Sequence, residues 1–507
     1  MDKQMLVKLL LLVLLALLAA LLLFFLYSKK RISVKGSILA AVCCVLVLGA
    51  AGVCICKKNE KTPGAPADPI SDREEGNRKM DMIMWYDIDT GPTTNGRPQK
   101  GWWPLNPQHP GTVAVSGNFR TTTPLMGLYD QRDPATARQH LYWMAALGCN
   151  GVAVDWTNYT SYRNEKPGDG WYKYTYGVYA NTEVLLQEAS AVRDFDSPKI
   201  YLTVRLSGEN FDDLQDVLSD VYMLYEKYPQ SWYRLQDGSK RAEKPFLIIF
   251  IDGDVQKKIA EKKFVFDDDR FNIRFSNGYL SPYTTEQKDG SKSIPADIPL
   301  WFFVESEEDP DAGEGQYRVF QKTGLDGMAE QMIAWASVHK GGENWDELNH
   351  IVAGKTTFER TLRGVAELSP KALLINRFNY AIAWKEEPQE GVSLYGSTHI
   401  EPNKDFGFLI FDNVKTNLYR LNCWNQKAPP APALISADSH SLKLSLDGYP
   451  TEYRISSEPE IEGEWTYYNI NDGIPLPEDW QGETCYLQTR NTFGESSVAE
   501  FVIQNES

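Results

Sequence analysis

The sequence predicts an α/β fold, a (β/α)8 TIM barrel, preceded by two transmembrane helices and followed by a small β-sandwich. Three observations lead to it. Two long apolar stretches open the chain, eight apolar runs alternate with amphipathic stretches over residues 80–424, and the pattern changes period after residue 433. The implied segments are a membrane hairpin at 1–61, a linker at 62–79, the barrel at 80–424, a Pro-rich linker at 425–433 and the sandwich at 434–507.

Met5 to Tyr27 is a 23-residue apolar stretch with one charge, Lys8, and Ser37 to Cys56 is a 20-residue stretch with none. At ~1.5 Å of rise per helical residue each reaches ~30 Å, the thickness of a hydrocarbon core. A cleaved export signal is the competing reading of the first, but its apolar run exceeds the ~7–15 residues usual for such signals. Lys29, Lys30, Arg31 and Lys35 in the connector place it on the cytoplasmic side. Everything after Lys57 is then expected on the extracytoplasmic side of the cell membrane, anchored by the two helices.

The 507 residues carry a formal charge of −16, and those after residue 61 carry 43 basic against 66 acidic side chains, a charge of −23. Such a surface repels phosphate backbones, so nucleic acid is not expected as a partner. Four of the seven cysteines, at 43, 44, 54 and 56, sit in the second apolar stretch. Cys149, Cys423 and Cys485 remain without a CxxC pair, and the six histidines form no HExxH. No metal or cofactor is signalled, and Cys423 and Cys485 are left either as a disulfide or as free thiols.

Within the barrel segment, residues 80–88, 124–130, 151–156, 199–207, 244–253, 271–278, 299–306 and 371–379 read as strands buried on both faces. Amphipathic stretches separate them. One opens with Asp133 and Pro134, an N-cap followed by proline at the first helical position, and closes at Gly148. An open doubly wound sheet is the competing topology, but no glycine-rich phosphate loop follows the first strand to support it. Residues 434–505 show short alternating runs with turn residues between them, the pattern of an immunoglobulin- or fibronectin-type sandwich. Trp465 and Tyr467 read as its core.

In a closed parallel barrel the open rim lies at the carboxyl ends of the strands, so chemistry is sought there. Those ends carry Trp85, Tyr86 and Asp87, then Tyr129 and Asp130, then Asp155, Trp156 and Asn158, followed by Arg205, Asp252 and Glu305. Aromatic rings among carboxylates suit a sugar, whose C–H faces stack on rings and whose hydroxyls bond to acids, amides and arginine. Glycosidic cleavage also needs two carboxyl groups flanking the scissile bond. Asp155, directly following a buried run, is a candidate for one. Glu305 opens the acidic run ESEEDPD, which reads equally as a solvated loop, and Asp252 precedes Gly253 in a turn-like pair. After the last run, Asn379 is followed by Trp384, Glu386, Glu387, His399 and Glu401, clustered where barrels commonly bind substrate.

Two stretches together resemble the glycoside hydrolase family that contains the endo-α-mannosidases, family 99, and the related WbsX-like proteins. They are GLYDQRDPATARQHLYWMAALGCNGVAVDW and FNYAIAWKEEPQEG followed by STHIEPNKDFG. The second is similar to the family's Asn-Glu-Trp-x-Glu-Gly run and its Ile-Glu-Pro element. The resemblance covers roughly residues 80–424 and implies an exported (β/α)8 enzyme acting on α-linked, mannose-containing glycans. It also implies that Glu386 is the acid-type carboxylate. The family's first glutamate is missing, because Asn379 is followed by Tyr380 and Trp384 is preceded by Ala383. Glu387, Asp155 and Glu305 are the candidate partners for Glu386, with Trp85, Trp156 and Trp384 as stacking walls. The rival reading is a glycan-binding protein without catalysis on the same fold, or one that processes surface polysaccharide.

Overall fold

Val152, Ala153 and Val154 are fully buried in a strand, Gly151–Asp155, whose two edges are both hydrogen-bonded to parallel neighbours. The same arrangement repeats around a ring. The structure, a computed structural model, describes residues 80–88, 118–120, 124–127, 129–208, 210–276, 284–286, 292–303, 320–336, 355–379, 382–385, 394–395, 400–404, 406–438, 440–480 and 482–503. The ring strands are β1 (Asp81–Asp87), β2 (Gly151–Asp155), β3 (Lys199–Arg205), β4 (Phe246–Phe250), β5 (Asn272–Ser276), β6 (Leu300–Trp301), β7 (Ala329–Trp335) and β8 (Ala372–Asn376). They pair in parallel from β1 through to β6, while β8 pairs with both β7 and β1.

Helices link the strands: α1 (Pro134–Ala146), α2 (Gly170–Ala191), α3 (Phe211–Lys227), α4 (Gly253–Ala260) and α5 (Thr357–Leu368), with α6 (Leu409–Leu421) after β8. The local chemistry explains their ends. Asp133 caps α1 through Ala135 N, with Pro134 in the first turn, and Thr356 and Glu359 form a reciprocal capping box on α5. Past α1, Gly148 adopts φ +86°, and a Cβ there would lie 2.1 Å from the Trp424 ring. Glycine is required at that position on both counts.

One expected strand is not in the ring. Residues 124–127 turn at Gly127, whose N–H bonds to Pro124 O at 2.9 Å, and Pro124 forms an isolated bridge to Asn403. Its place is taken by β7, which the sequence pattern passes over because Glu330 and Gln331 interrupt the apolar run. Those two residues close the ring. β6 has two residues, and β7 also pairs with an antiparallel strand, Phe320–Thr323, so no backbone ladder joins β6 to β7 among the described residues. Instead Gln331 donates to Phe302 O at 2.9 Å and accepts from Phe302 N at 3.3 Å, standing in for a peptide group. Glu330 accepts from Trp301 Nε1 at 2.7 Å.

Residues 434–503 form two small antiparallel sheets. One holds Leu434–Ala437, Ser441–Leu444 and Ile474–Pro475, and the other holds Glu452–Ser456, Thr466–Tyr467, Thr484–Asn491, Gly494–Glu495 and Ala499–Val502. They dock on α1 and α6. Ile470 N donates to Gln139 Oε1 at 2.9 Å, Tyr142 OH donates to Pro450 O at 2.7 Å, and Thr492 Oγ1 donates to Asp412 Oδ1 at 2.6 Å. Among the described residues, no disulfide joins Cys149, Cys423 or Cys485. The two N-terminal apolar stretches lie outside the described residues; among the described residues no helix is long and apolar enough to cross a membrane.

Lys415 sits buried at this junction, its ammonium 5.5 Å from the Tyr419 ring centre and 5.4 Å from that of Phe493. Burial pushes its pKa down to about 8, against the attraction of Asp412. Below pH 8 the lysine is charged in both folded and unfolded chains, and the folded state bears the full burial penalty. Wild-type stability therefore rises with pH from about 8 to the unfolded value near 10.5. Lys415→Met, which keeps the ring contacts, is expected to stabilise the protein by about 1–3 kcal/mol at pH 7. Thermal melts of both proteins from pH 7 to 10.5 should converge as pH rises; a constant gap would refute the account.

Candidate active site at the barrel mouth

Side chains alternate along a strand, and β1 shows which of its residues face the barrel interior. Trp85 meets Phe303 at 4.5 Å and Phe250 at 5.8 Å between ring centres, and Phe303 meets Trp335 at 6.1 Å. These rings fill the upper barrel. Trp85 is 2% exposed, so it forms the packed floor of the mouth and not a stacking wall. Asp87, two residues on, faces inward above that floor.

Asp87 is 1% exposed and its surroundings are fixed by residues at the end of β8. Asn379 Oδ1 accepts from Asp87 N at 2.9 Å, and Asn379 Nδ2 donates to Asp87 O at 2.8 Å. Arg377 Nη1 lies 4.0 Å from Asp87 Oδ1, its guanidinium 5.8 Å from the centre of the Phe303 ring, and its Nε donates to Asn376 Oδ1 at 3.0 Å. Asn376 and Arg377 are the polar end of an apolar run. The rule that selected Asp155 would have selected them too.

Asp155 is the register partner of Asp87 on β2, so the two carboxylates stand side by side, ~5 Å apart between strands, and point the same way. Asp155 is half-buried. Its Oδ1 accepts from Thr157 N at 2.9 Å and Thr157 Oγ1 at 2.6 Å, while no described residue bonds to Oδ2. Arg205 and Asn158 are exposed at the same rim.

Several other candidates face elsewhere. Trp156 is fully buried, packs against Tyr159 at 4.1 Å between ring centres with the rings tilted by 38°, and donates to Thr182 Oγ1 of α2 at 2.8 Å, so it serves the helix layer and not the mouth. Asp252 caps α4 by accepting from Val255 N at 2.9 Å. Tyr86 points outward to α1, where its hydroxyl meets His140 Nδ1 at 2.7 Å. His140 Nε2 meets Glu401 Oε1 at 3.0 Å, and Tyr129 OH donates to Glu401 Oε2 at 3.0 Å. Burial, with the Glu401 charge nearby, holds both tyrosines neutral, their pKa values raised well above the usual. This chain ties the loop after β8 to α1, since Glu401 N also donates to Phe378 O at 2.9 Å. It positions the rim from behind. His140 was hidden in a helical pattern.

Glu305, Glu386, Glu387 and His399 lie outside the described residues. Trp384 falls in the strand Ile382–Lys385, which pairs with Asn118–Arg120 and Leu394–Tyr395 in a separate three-stranded sheet. Segments that follow β1 and β8 in the chain thus pair in one sheet, and Glu386 follows its central strand in the sequence.

No protein-family description matches the chain, and no curated protein does. Among solved structures, the chain is similar to the family 99 endo-α-mannosidase of Bacteroides thetaiotaomicron in complex with bis-tris-propane. The identity is 15% and the TM-score 0.38, over 68% of this chain and 95% of that one. A second structure of that enzyme gives 15% identity and a TM-score of 0.37 over 68% and 96%. A glycoside hydrolase-like protein gives 12% identity and a TM-score of 0.38 over 70% and 97%. Likeness at TM-scores below 0.5 decides nothing about activity, which has to be read from the residues.

Proposed function

We propose that this chain is an exported, membrane-anchored glycoside hydrolase acting on α-linked, mannose-containing glycans at the carboxyl rim of its barrel. The observation that carries the reading is the side-by-side placement of Asp87 and Asp155 above an aromatic floor, with Arg377 beside Asp87. Such a mouth offers fixed hydroxyl partners at its base and a carboxylate free to act on one oxygen. Glu386, matched by the family-like motif, is the proposed general acid. Asp155 is the proposed second carboxylate, with Glu305 and Glu387 as alternatives. Asp87, its backbone fixed by Asn379, would hold the sugar ring, with Trp384 as the proposed stacking wall. The apolar N-terminal hairpin is the proposed anchor, residues 62–79 its tether, and the C-terminal sheets an immunoglobulin- or fibronectin-type companion joined through residues 425–433.

Release of reducing sugar from soluble α-mannan and from a high-mannose N-glycan is the test. Wild type is expected to release it and Glu386→Gln to fall by at least about 10²-fold, the scale of a general acid. The absence of a glutamate at Ala383 favours one rival, a binder without turnover. Mannan binding in both proteins with hydrolysis in neither would replace the enzyme reading with that one.

A further inference from the structure

A second site, lined by none of the residues at the barrel mouth, lies where the start of α6 faces the larger C-terminal sheet. An open cleft of about 650 Å³ is found there, within the ~300–1,000 Å³ typical of sites for small ligands. Phe408, Trp465 and Tyr467 supply rings to its walls, and Asp412, Glu452 and Arg490 supply polar groups. Register explains their convergence. Glu452 pairs with Tyr467 on one side and Arg490 on the other, so all three project from one face of the sheet. Trp465 is held by two guanidinium groups, those of Arg454 at 4.6 Å and Arg490 at 4.5 Å from the ring centre. Both aromatics, which the sequence alone places in a core, are half-buried.

The charges in this wall are opposed in pairs. Arg490 donates to the two oxygens of Glu452 at 2.7 and 2.9 Å, Arg454 reaches Glu495 at 3.3 Å, and the Asp412 charge faces that of Lys415. A phosphate or a cationic peptide would therefore find no unopposed partner. An uncharged ring bearing several hydroxyls would find flat aromatic surface for its C–H faces and rigid donors and acceptors for its hydroxyls. We propose that this cleft is a saccharide-binding site separate from the barrel mouth, taking an uncharged sugar residue of a longer chain.

The barrel reading enters only through the choice of probe. Native electrophoresis of the full chain through gels containing soluble α-mannan or soluble β-glucan gives an apparent Kd from the retardation. Retardation in at least one gel is expected, weakened at least fivefold by Trp465→Ala. Leu409 lines the same cleft and is 49% exposed, so Leu409→Trp fills it without disturbing a core, and it should weaken binding similarly. Glu386→Gln should leave the retardation in place. No retardation in either gel overturns the proposal, as does retardation unchanged by Leu409→Trp or lost only with Glu386→Gln. Absent hydrolysis together with Leu409-sensitive retardation would remove the barrel reading and leave this one standing.

Discussion

Asp155→Asn is expected to lower glycan hydrolysis about 10³-fold while leaving the melting temperature within a degree or two of wild type. The two halves of that result have separate causes. Removing a carboxylate that acts as base or nucleophile takes away a proton acceptor or a covalent partner, worth roughly 10²–10⁴ in rate. Stability is spared because the amide oxygen of asparagine can still accept from Thr157 N and Thr157 Oγ1, which are the bonds that Asp155 makes. Removing a charge beside Asp87 also relieves a like-charge pair. Asp87→Asn should behave differently. Its loss leaves Arg377, itself buried, without the carboxylate 4.0 Å away, so activity and stability should fall together. Steady-state rates on α-mannan with parallel thermal melts separate the two. Turnover by Asp155→Asn within threefold of wild type would shift the second carboxylate to Glu305 or Glu387.

How far the fold could be read from the sequence depended on whether burial and apolarity coincided. Seven of the eight ring strands announce themselves as apolar runs. β7 does not, because Glu330 and Gln331 are buried there for their hydrogen bonds and break the run. Residues 124–130 are apolar enough to imitate a strand, and only the turn at Gly127 shows otherwise. At the mouth the same logic holds at finer grain. Position at a strand end was visible, but the alternation that sends Asp87 inward and Tyr86 outward depends on register. Trp156 shows the limit most plainly: one residue past Asp155, it belongs to the helix layer. Arg377 carried the same strand-end signal as Asp155, whereas His140 had none beyond its polarity in apolar surroundings.

Glu330→Leu is expected to destabilise the barrel by about 3–5 kcal/mol, the scale for removing one partner of a buried ion pair. Arg274, carried on β5, donates from Nε to Glu330 at 2.9 Å and from Nη2 to Asp237 at 2.7 Å. Burial works against the guanidinium charge, but Glu330 and Asp237 overcome it and keep the pKa above its usual value. With leucine at 330, Arg274 keeps one carboxylate, and Trp301 Nε1 loses its acceptor at the seam between β6 and β7. Arg274→Met combined with Glu330→Leu should be less damaging than the sum of the two single substitutions, because the bonds between these two side chains are then lost only once. The double variant still leaves the buried Asp237 without its guanidinium, bonded to Ser239 N at 2.8 Å and to Asn272 Nδ2 at 3.2 Å. Urea unfolding of wild type, the two single variants and the double variant, followed by tryptophan fluorescence, measures the difference. A double variant as unstable as the sum of the single ones would show that the pair contributes no attraction of its own. The ring would then be closed by the Gln331 bridge and not by charge.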